Sequence, residues 1–129
     1  MNNGHHIIIR DDKGRREISL DKAVYSMGRS STCDIRLFSP YVSNYHATLL
    51  PFLKGRKRYL FYRIIDGSLD GKRSKWGIWV HNQRVTNYIL IDTDTITFAS
   101  GVSVTYYYGD YSCKRVEPGY IFPENRFYG

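Results

Sequence analysis

Three short motifs decide the expected fold of this chain: residues 28–30 (GRS), residues 43–46 (SNYH) and residues 74–80 (SKWGIWV). Each motif lies where an apolar run stops and a loop begins, and together they supply arginine, serine, asparagine and lysine donors. An arginine offers a planar charged fork and a serine hydroxyl offers a short donor, which are the groups that a phosphate dianion favours. Three such loops at one end of a β-sandwich would form a pocket for a phosphate group.

The remainder of the chain has the pattern of an all-β protein. Almost every apolar run is short and bounded by turn residues, and no window keeps the spacing of an amphipathic helix for more than a turn or two. Many short strands at this spacing indicate a sandwich of about eleven strands, mostly antiparallel. The expected strands are residues 5–10, 17–20, 24–27, 34–37, 46–52, 59–65, 77–80, 83–85, 88–91, 95–98 and 102–108.

The composition fits one soluble folded domain. The chain has 129 residues, of which 42% are hydrophobic and 16% aromatic, and the large aromatic share adds buried area per residue. We expect residues 1–109 to form the sandwich and residues 110–129 to form a C-terminal extension. Because the extension has five aromatic residues beside its prolines and glycines, we expect it to pack on the sandwich or on a partner.

Targeting and metal-binding signals are absent from the sequence. No apolar run approaches the ~20 residues of a membrane-spanning helix, and the first seven residues do not resemble a signal peptide. We therefore expect a cytoplasmic protein without membrane insertion. Cys33 and Cys113 lie far apart, which favours buried or inert thiols over a disulfide framework. His5 and His6 are adjacent rather than at ligand spacing, so we expect no metal.

The formal net charge of +7 predicts attraction to anions. Phosphoproteins, nucleic acids and acidic membrane surfaces all qualify, and charge alone does not choose among them. The densest basic cluster, residues 54–58 (KGRKR), joins two predicted antiparallel strands and so lies at the end opposite the SNYH motif. Such a cluster is more often a solvated hairpin tip than a binding site.

In their order and context the three motifs resemble the forkhead-associated (FHA) domain family, a SMAD/FHA-type β-sandwich whose members bind phosphothreonine peptides. The resemblance covers roughly residues 7–108. It implies that Arg29, after the strand-ending Gly28, contacts the phosphate. It also implies that Ser43 donates to the phosphate, that Asn44 holds the peptide backbone, and that a buried His46 supports its loop without touching the ligand.

The third motif departs from the family pattern Ser-Thr-Asn-Gly-Thr. Gly77 and the strand after it match, but Lys75 stands where a threonine normally assists and Trp76 replaces the asparagine that grips the ligand's main chain. In the next turn, Asn82 can supply the positive φ that a glycine would. Trp76 offers either a platform for a residue beside the phosphate or an obstacle that excludes the peptide. The sequence leaves both open.

The resulting interpretation is a non-enzymatic interaction module in signalling that needs no cofactor and no small-molecule substrate. It docks a phosphothreonine-containing protein segment through Arg29, Ser43, Asn44 and Lys75, with Trp76 beside them. The oligomeric state, the partner, its kinase and the residues preferred beside the phosphothreonine are left open.

Three other function classes compete with this interpretation. The first is a phosphate-independent adaptor that uses Trp76, Tyr41 and the aromatic extension as an interface. The second is a basic nucleic-acid-binding domain, which ranks lower because no RNA- or DNA-reading motif is visible. The third is a nucleophilic pair of Ser43 and His46, which lacks a third orienting group and the glycines of a nucleophile elbow.

Overall fold

The computed structural model describes residues 4–53 and 60–109, and within these ranges it confirms the predicted all-β sandwich. Eleven strands and no helix are present, in two mostly antiparallel sheets. The expected C-terminal extension, residues 110–129, and the basic cluster, residues 54–58, lie outside the described residues. The strands are β1 (His5–Asp11), β2 (Gly14–Ser19), β3 (Tyr25–Gly28), β4 (Ile35–Arg36), β5 (Ala47–Leu53), β6 (Leu60–Asp66), β7 (Ile78–Val80), β8 (Gln83–Val85), β9 (Asn87–Ile89), β10 (Thr95–Ala99) and β11 (Val102–Tyr108).

Most strands lie close to the predicted ones, and the largest difference has a local cause. β2 begins at Gly14 rather than at residue 17, because a two-residue turn closes the β1–β2 hairpin and pairs Asp11 with Gly14. Gly14 has a φ of 101°, which suits glycine at this tight turn. The β1–β2 pairing therefore extends three residues nearer the turn than the expected strand at residues 17–20.

The two sheets have the orders β2-β1-β11-β10-β7-β8 and β4-β3-β5-β6-β9. Every ladder is antiparallel except that of β3 with β4, which is parallel. The core lies between the inner faces, and side chains alternate as period-two strands require. In β10, for example, Ile96 and Phe98 are each 1% exposed while Thr95 and Thr97 face outward.

Aromatic side chains fill much of the core, as the composition predicts. Tyr62, Tyr88 and Tyr106 are each fully buried. His5 lies among them, with its ring stacked on Tyr108 at 4.2 Å and its Nδ1 2.5 Å from the hydroxyl of Tyr106. Burial lowers the pKa of His5 to about 4, so this imidazole is neutral in the folded protein at pH 7.

Strand register brings three loops to one end of the sandwich. Ala47 at the start of β5 pairs with Asp66 at the end of β6 and with Met27 near the end of β3. The segments that follow β3, precede β5 and follow β6 therefore meet. We call these segments, residues 29–34, 37–46 and 67–77, the apical loops.

The hairpin between β7 and β8 has a two-residue turn made by His81 and Asn82. Their φ values are 52° and 63°, so both central residues have positive φ, as in a type I′ turn. The sequence anticipated this conformation for Asn82. His81 adopts it as well, and its Nε2 lies 3.2 Å from the carboxylate of Asp94.

Candidate functional site

Gly28 ends β3 and allows two apical loops to touch. A Cβ at this position would lie 2.2 Å from the carbonyl oxygen of Asn44 and 2.9 Å from that of Ser43. Gly28 is not among the positive-φ residues, so glycine is required here by this close approach and not by the backbone conformation. The amide of Arg29 donates to the Ser43 carbonyl at 3.0 Å, and that of Ser30 donates to the Asn44 carbonyl at 3.2 Å. The loop carrying Arg29 is thus fastened to the loop carrying Ser43.

The guanidinium of Arg29 is held at one edge and exposed at the other. Its Nε donates to the carbonyl oxygen of Val42 at 2.9 Å. Because Val42 directly precedes Ser43, this bond fixes the guanidinium beside the serine. Nη1 and Nη2 of Arg29 have no hydrogen-bond or ion-pair partner among the described residues. They form a planar pair of donors available to an anion.

Ser43 links the second apical loop to the third. Its Oγ accepts a hydrogen bond from the amide of Lys75 at 3.0 Å, and its own amide donates to Nδ1 of His46 at 3.0 Å. A hydroxyl that accepts one bond still has its own proton to give. Within residues 4–53 and 60–109 that proton has no acceptor. Ser43 therefore holds the loops together and keeps one donor for a ligand.

His46 is fully buried beneath these loops, with both ring nitrogens used. Its Nδ1 faces the amide of Ser43, which can only donate, and its Nε2 lies 2.7 Å from the carbonyl oxygen of Gly77, which can only accept. The proton of the neutral ring therefore belongs on Nε2. Burial lowers the pKa of His46, opposed by the bond to Gly77 and the charge of Asp66. The neutral His46 ring therefore connects the second and third apical loops through one hydrogen bond to each.

Asp66 and Ser74 shape the loop between β6 and β7, and sequence reasoning gave them no role. The Ser74 hydroxyl donates to Oδ1 of Asp66 at 2.5 Å and accepts from the amide of Gly77 at 2.8 Å. Asp66 and Ser74 are 6% and 7% exposed. The bond from the Gly77 amide to the Ser74 hydroxyl could have been inferred from the sequence, because a serine shortly before a glycine often binds the backbone of the turn. Gly77 itself has a φ of 80°, with the side chain of Arg84 lying where its Cβ would be.

Lys75 and Trp76 lie at the rim of the apical loops. The Lys75 ammonium is 5.3 Å from the centroid of the Trp76 ring, a distance suited to cation–π contact. Trp76 is 54% exposed, and its carbonyl accepts a hydrogen bond from the Trp79 indole at 3.2 Å. The Trp76 ring therefore lies on the surface and is not packed between the apical loops.

A second set of contacts stiffens the first apical loop. The hydroxyl of Tyr45 lies 2.5 Å from that of Thr32, which in turn lies 2.8 Å from that of Ser30. These hydrogen bonds lower the pKa of the Tyr45 hydroxyl.

Cys33 donates from Sγ to the Asn44 carbonyl at 3.2 Å, and burial raises the pKa of its thiol. Cys33 is thus a buried, neutral contact between two loops, as expected from the sequence.

Two surface depressions flank Ser43 and Trp76. The smaller, about 450 Å³, is lined by Ser43 and Tyr45 of the second loop and by four residues of the third: Ser68, Asp70, Lys72 and Arg73. The larger is an open groove of about 1030 Å³ between β7 and β10, with Trp76 on its rim. We call the larger one the β7–β10 groove. The sequence indicated Trp76 but not the groove beside it.

The structure brings most of the expected site residues together. Arg29, Ser43, Asn44 and Lys75 all lie on the apical loops, with Trp76 beside them. Asn82 lies apart on the β7–β8 turn and lines the β7–β10 groove. Among the described residues, no group of three or more His, Cys, Asp or Glu is arranged to hold a metal ion.

Comparison with known proteins identifies the fold family. The model of the FHA domain matches residues 25–99, which is more than half of the chain. The chain belongs to the FHA domain family. The matched region holds the GRS and SNYH motifs and all three apical loops.

Two Synechocystis proteins are similar to this FHA domain. The crystal structure of the Slr1951 protein is 40% identical, covers 82% of this chain and 99% of its own, and superposes with a TM-score of 0.77. The uncharacterized protein sll1895 is 30% identical over 102 residues. Those residues are 79% of this chain but 14% of sll1895, so the FHA domain corresponds to a small part of that protein.

A more distant structure shares the fold and has a ligand. The yeast Dun1 FHA domain, solved with a doubly phosphorylated peptide, is 24% identical and superposes with a TM-score of 0.62. That match covers 98% of this chain and 91% of the Dun1 domain. FHA domains are interaction modules rather than enzymes. The described part of the chain contains no helix that could span a membrane.

Proposed function

We propose that the apical loops bind a phosphothreonine-containing segment of a partner protein. The observation that carries this proposal is the arrangement of Arg29 and Ser43. The Arg29 guanidinium is anchored on Val42 beside Ser43, and both side chains keep donors that no described residue uses. A bidentate guanidinium and a hydroxyl are strong donors for phosphate oxygens. Both groups are fixed before ligand arrives, which lowers the entropy cost of binding.

The charge around this pair supports an anionic ligand. Lys72, Arg73 and Lys75 lie on the third apical loop and are exposed, and the chain carries a net charge of +7. Within residues 4–53 and 60–109 these three cations form no ion pair. A phosphate dianion is attracted by the local potential as well as by the direct donors.

Asn44 and Trp76 are proposed to contact the peptide on either side of the phosphate. Asn44 is exposed, and its backbone carbonyl is already used by Ser30 and Cys33, so its side-chain amide is oriented by a fixed main chain. The exposed ring of Trp76 serves as an apolar platform where the family usually has an asparagine. In this chain, contact of the peptide with the aromatic face of Trp76 takes the place of the bonds that the family's asparagine makes to the peptide main chain.

The test is a titration of paired peptide libraries, each sequence with threonine and with phosphothreonine, against the native chain. We expect binding only by phosphorylated members. Loss of one charge-assisted partner should cost on the order of 1.5–3 kcal/mol, so the phosphate should strengthen binding at least tenfold. Equal affinity for both forms would contradict the proposal.

A phosphate-independent adaptor is the second candidate, because large aromatic surfaces are exposed beside the site. Tyr41 is 63% exposed and Trp79 is 40% exposed. Aromatic side chains of this kind dominate many protein interfaces. The adaptor function requires that Trp76→Ala and Trp79→Ala abolish partner binding while Arg29→Ala does not. The same library titration separates it from the phosphate-dependent function.

A further inference from the structure

The five-stranded sheet carries apolar side chains on the face that points away from the core. Tyr62 and Ile64 of β6 belong to the core, so the residues that alternate with them lie on the opposite face. The ladders of β6 with β5 and β9 place residues of both neighbouring strands beside them. We call the patch formed by Leu50, Phe61, Arg63, Ile65 and Ile89 the outer β6 patch.

The outer β6 patch is shielded from solvent. Ile89 is fully buried, although it is not part of the core between the sheets. Its register partner Arg63 lies on the same face, whereas the neighbouring Tyr88 packs in the core. Leu50 and Ile65 are partly buried. Since the described strands all belong to the two sheets, the cover over Ile89 comes from another part of the chain.

Arg63 adds a polar requirement to the patch. It lies between Leu50 and Ile89 in the ladders, and its Nε is buried without a hydrogen-bond partner among the described residues. Within residues 4–53 and 60–109, Arg63 forms no ion pair either. A buried guanidinium N–H that lacks an acceptor destabilises a fold. The segment that covers the patch should therefore bring apolar side chains together with an oxygen acceptor.

The C-terminal segment, residues 110–129, begins beside the patch. β11 ends at Tyr108, whose ring centroid lies 6.3 Å from that of Phe61. The next residue, Gly109, donates its amide to the Gly4 carbonyl at 2.9 Å. Twenty residues follow Gly109. An extended chain advances about 3.3 Å per residue and neighbouring strands lie about 4.8 Å apart, so this segment is long enough to cross β5, β6 and β9.

The C-terminal segment also has the chemistry that the patch requires. Residues 120–124 (YIFPE) combine an apolar run with a carboxylate, and Pro123 disfavours a helix there. In an extended chain alternate side chains share a face, which would place Tyr120, Phe122 and Glu124 on the same side. Two aromatic rings and one carboxylate on one side match the apolar residues and the arginine of the patch.

We propose that the C-terminal segment folds back and packs on the outer β6 patch of its own chain. Tyr120 and Phe122 cover the apolar residues of the patch, and their burial stabilises the domain. The carboxylate of Glu124 pairs with the guanidinium of Arg63. This inference is independent of the proposed function, because it uses no residue of the phosphate site. Aromatic side chains held in this way are not available as an adaptor interface.

Photo-cross-linking in the full chain tests this placement. A p-benzoylphenylalanine in place of Phe122 keeps an aromatic side chain, and tandem mass spectrometry after irradiation locates the residues linked to it. We expect links within one chain to Leu50, Ile65 or Ile89. The matched control carries the same group in place of Trp79, which is 40% exposed on the six-stranded sheet, and should give no link to these residues.

The other cross-linking results contradict the proposal. Links from position 122 to the apical loops or to the β7–β10 groove, or no link within the chain, would overturn it. Links that join two chains, seen as a species of twice the mass, would assign the patch to a second copy and would overturn it as well.

A charge-reversal cycle tests the pairing of Arg63 with Glu124. Arg63→Glu should lower the urea midpoint of unfolding, because it brings two carboxylates together. Adding Glu124→Arg should restore at least about half of that loss, since opposite charges then face each other again. The control adds Glu117→Arg to Arg63→Glu and should restore none of it. Equal midpoints for the two double variants would overturn the pairing and the proposed position of residues 120–124.

Discussion

The Nε2 atom of His46 donates a hydrogen bond to the carbonyl oxygen of Gly77 across 2.7 Å, joining the second and third apical loops from below. The opposite nitrogen accepts from Ser43. A neutral imidazole offers one acceptor and one donor, so His46 can bind both loops at once. The position of Ser43, and with it the site, depends on this buried imidazole.

His46→Phe keeps a ring of similar shape against Phe98 but removes both hydrogen bonds. We expect a loss of roughly 1–3 kcal/mol in the free energy of unfolding, because two buried backbone groups lose their partner. Urea unfolding measures this change. The comparison is His6→Phe on β1, whose ring stacks on Tyr107 and lies 3.5 Å from the exposed carboxylate of Glu17; a phenyl ring keeps the stacking, so this variant should lose less stability than His46→Phe. An equal loss in the free energy of unfolding for both variants would show that the hydrogen bonds of His46 do not stabilise the apical loops.

Stability should fall as pH falls below about 6.5. The pKa of His5 is lowered to about 4 by burial, so between these values the unfolded chain binds a proton that the folded protein excludes. His46, also lowered by burial, acts in the same direction. Denaturant unfolding of native chain and His5→Phe between pH 7 and 4.5 tests this. The variant should lose less stability over that range, and identical pH profiles would contradict the assignment.

Gly28→Ala should destabilise the protein and weaken ligand binding together. The added Cβ would lie 2.2 Å from the Asn44 carbonyl oxygen, so the apical loops must separate. Overpacking of this kind costs about 1–3 kcal/mol. The control is Gly109→Ala, which directly follows β11 and is outside the apical loops; its φ is 127° and no atom lies within 4 Å of the new Cβ. The free energy of unfolding of that variant should fall only because alanine is strained at this positive φ, and its peptide affinity should be unchanged. Thermal unfolding and peptide titration measure both effects.

Trp76→Asn distinguishes a platform from an obstacle. Trp76 is exposed at the rim and its ring does not fill the space between the apical loops, so we treat it as a platform. Its replacement should weaken binding to a phosphothreonine peptide by about 1–3 kcal/mol through loss of aromatic contact. Calorimetry with one peptide measures the change. A large gain in affinity would mean that Trp76 blocks the site and that the chain serves another interface.

Much of the fold was predictable because the strands are short, some of them alternate between apolar and polar residues, and they end at strong turn signals. Thr95, Thr97 and the apolar residues between them show this in β10, and Asn82 shows it in a turn. The motif order also predicted that Arg29 and Ser43 would share one end, since antiparallel strands bring the intervening loops together.

Other features depended on the three-dimensional path of the chain. Asp66 and Ser74 are eight residues apart, and nothing in that spacing predicts their hydrogen bond, because it requires the loop to fold back on the end of β6. The close contact at Gly28 involves a carbonyl that only tertiary packing brings near. The β7–β10 groove is lined by three separate stretches of the chain, Tyr41, residues 76–82 and residues 93–100, and hydrophobic periodicity does not predict that they meet.

The proposed function depends most on binding of the phosphate by Arg29. The most direct measurement is calorimetric titration of one phosphothreonine peptide into native chain and into Arg29→Ala, with Arg15→Ala as control. Arg15 is an exposed residue of β2, 3.9 Å from Glu17, so its replacement removes the same charge away from the apical loops. We predict at least a tenfold loss for Arg29→Ala and less than about a twofold change for Arg15→Ala, with both variants folded. Equal affinity of native chain and Arg29→Ala for the phosphorylated peptide would contradict the claim.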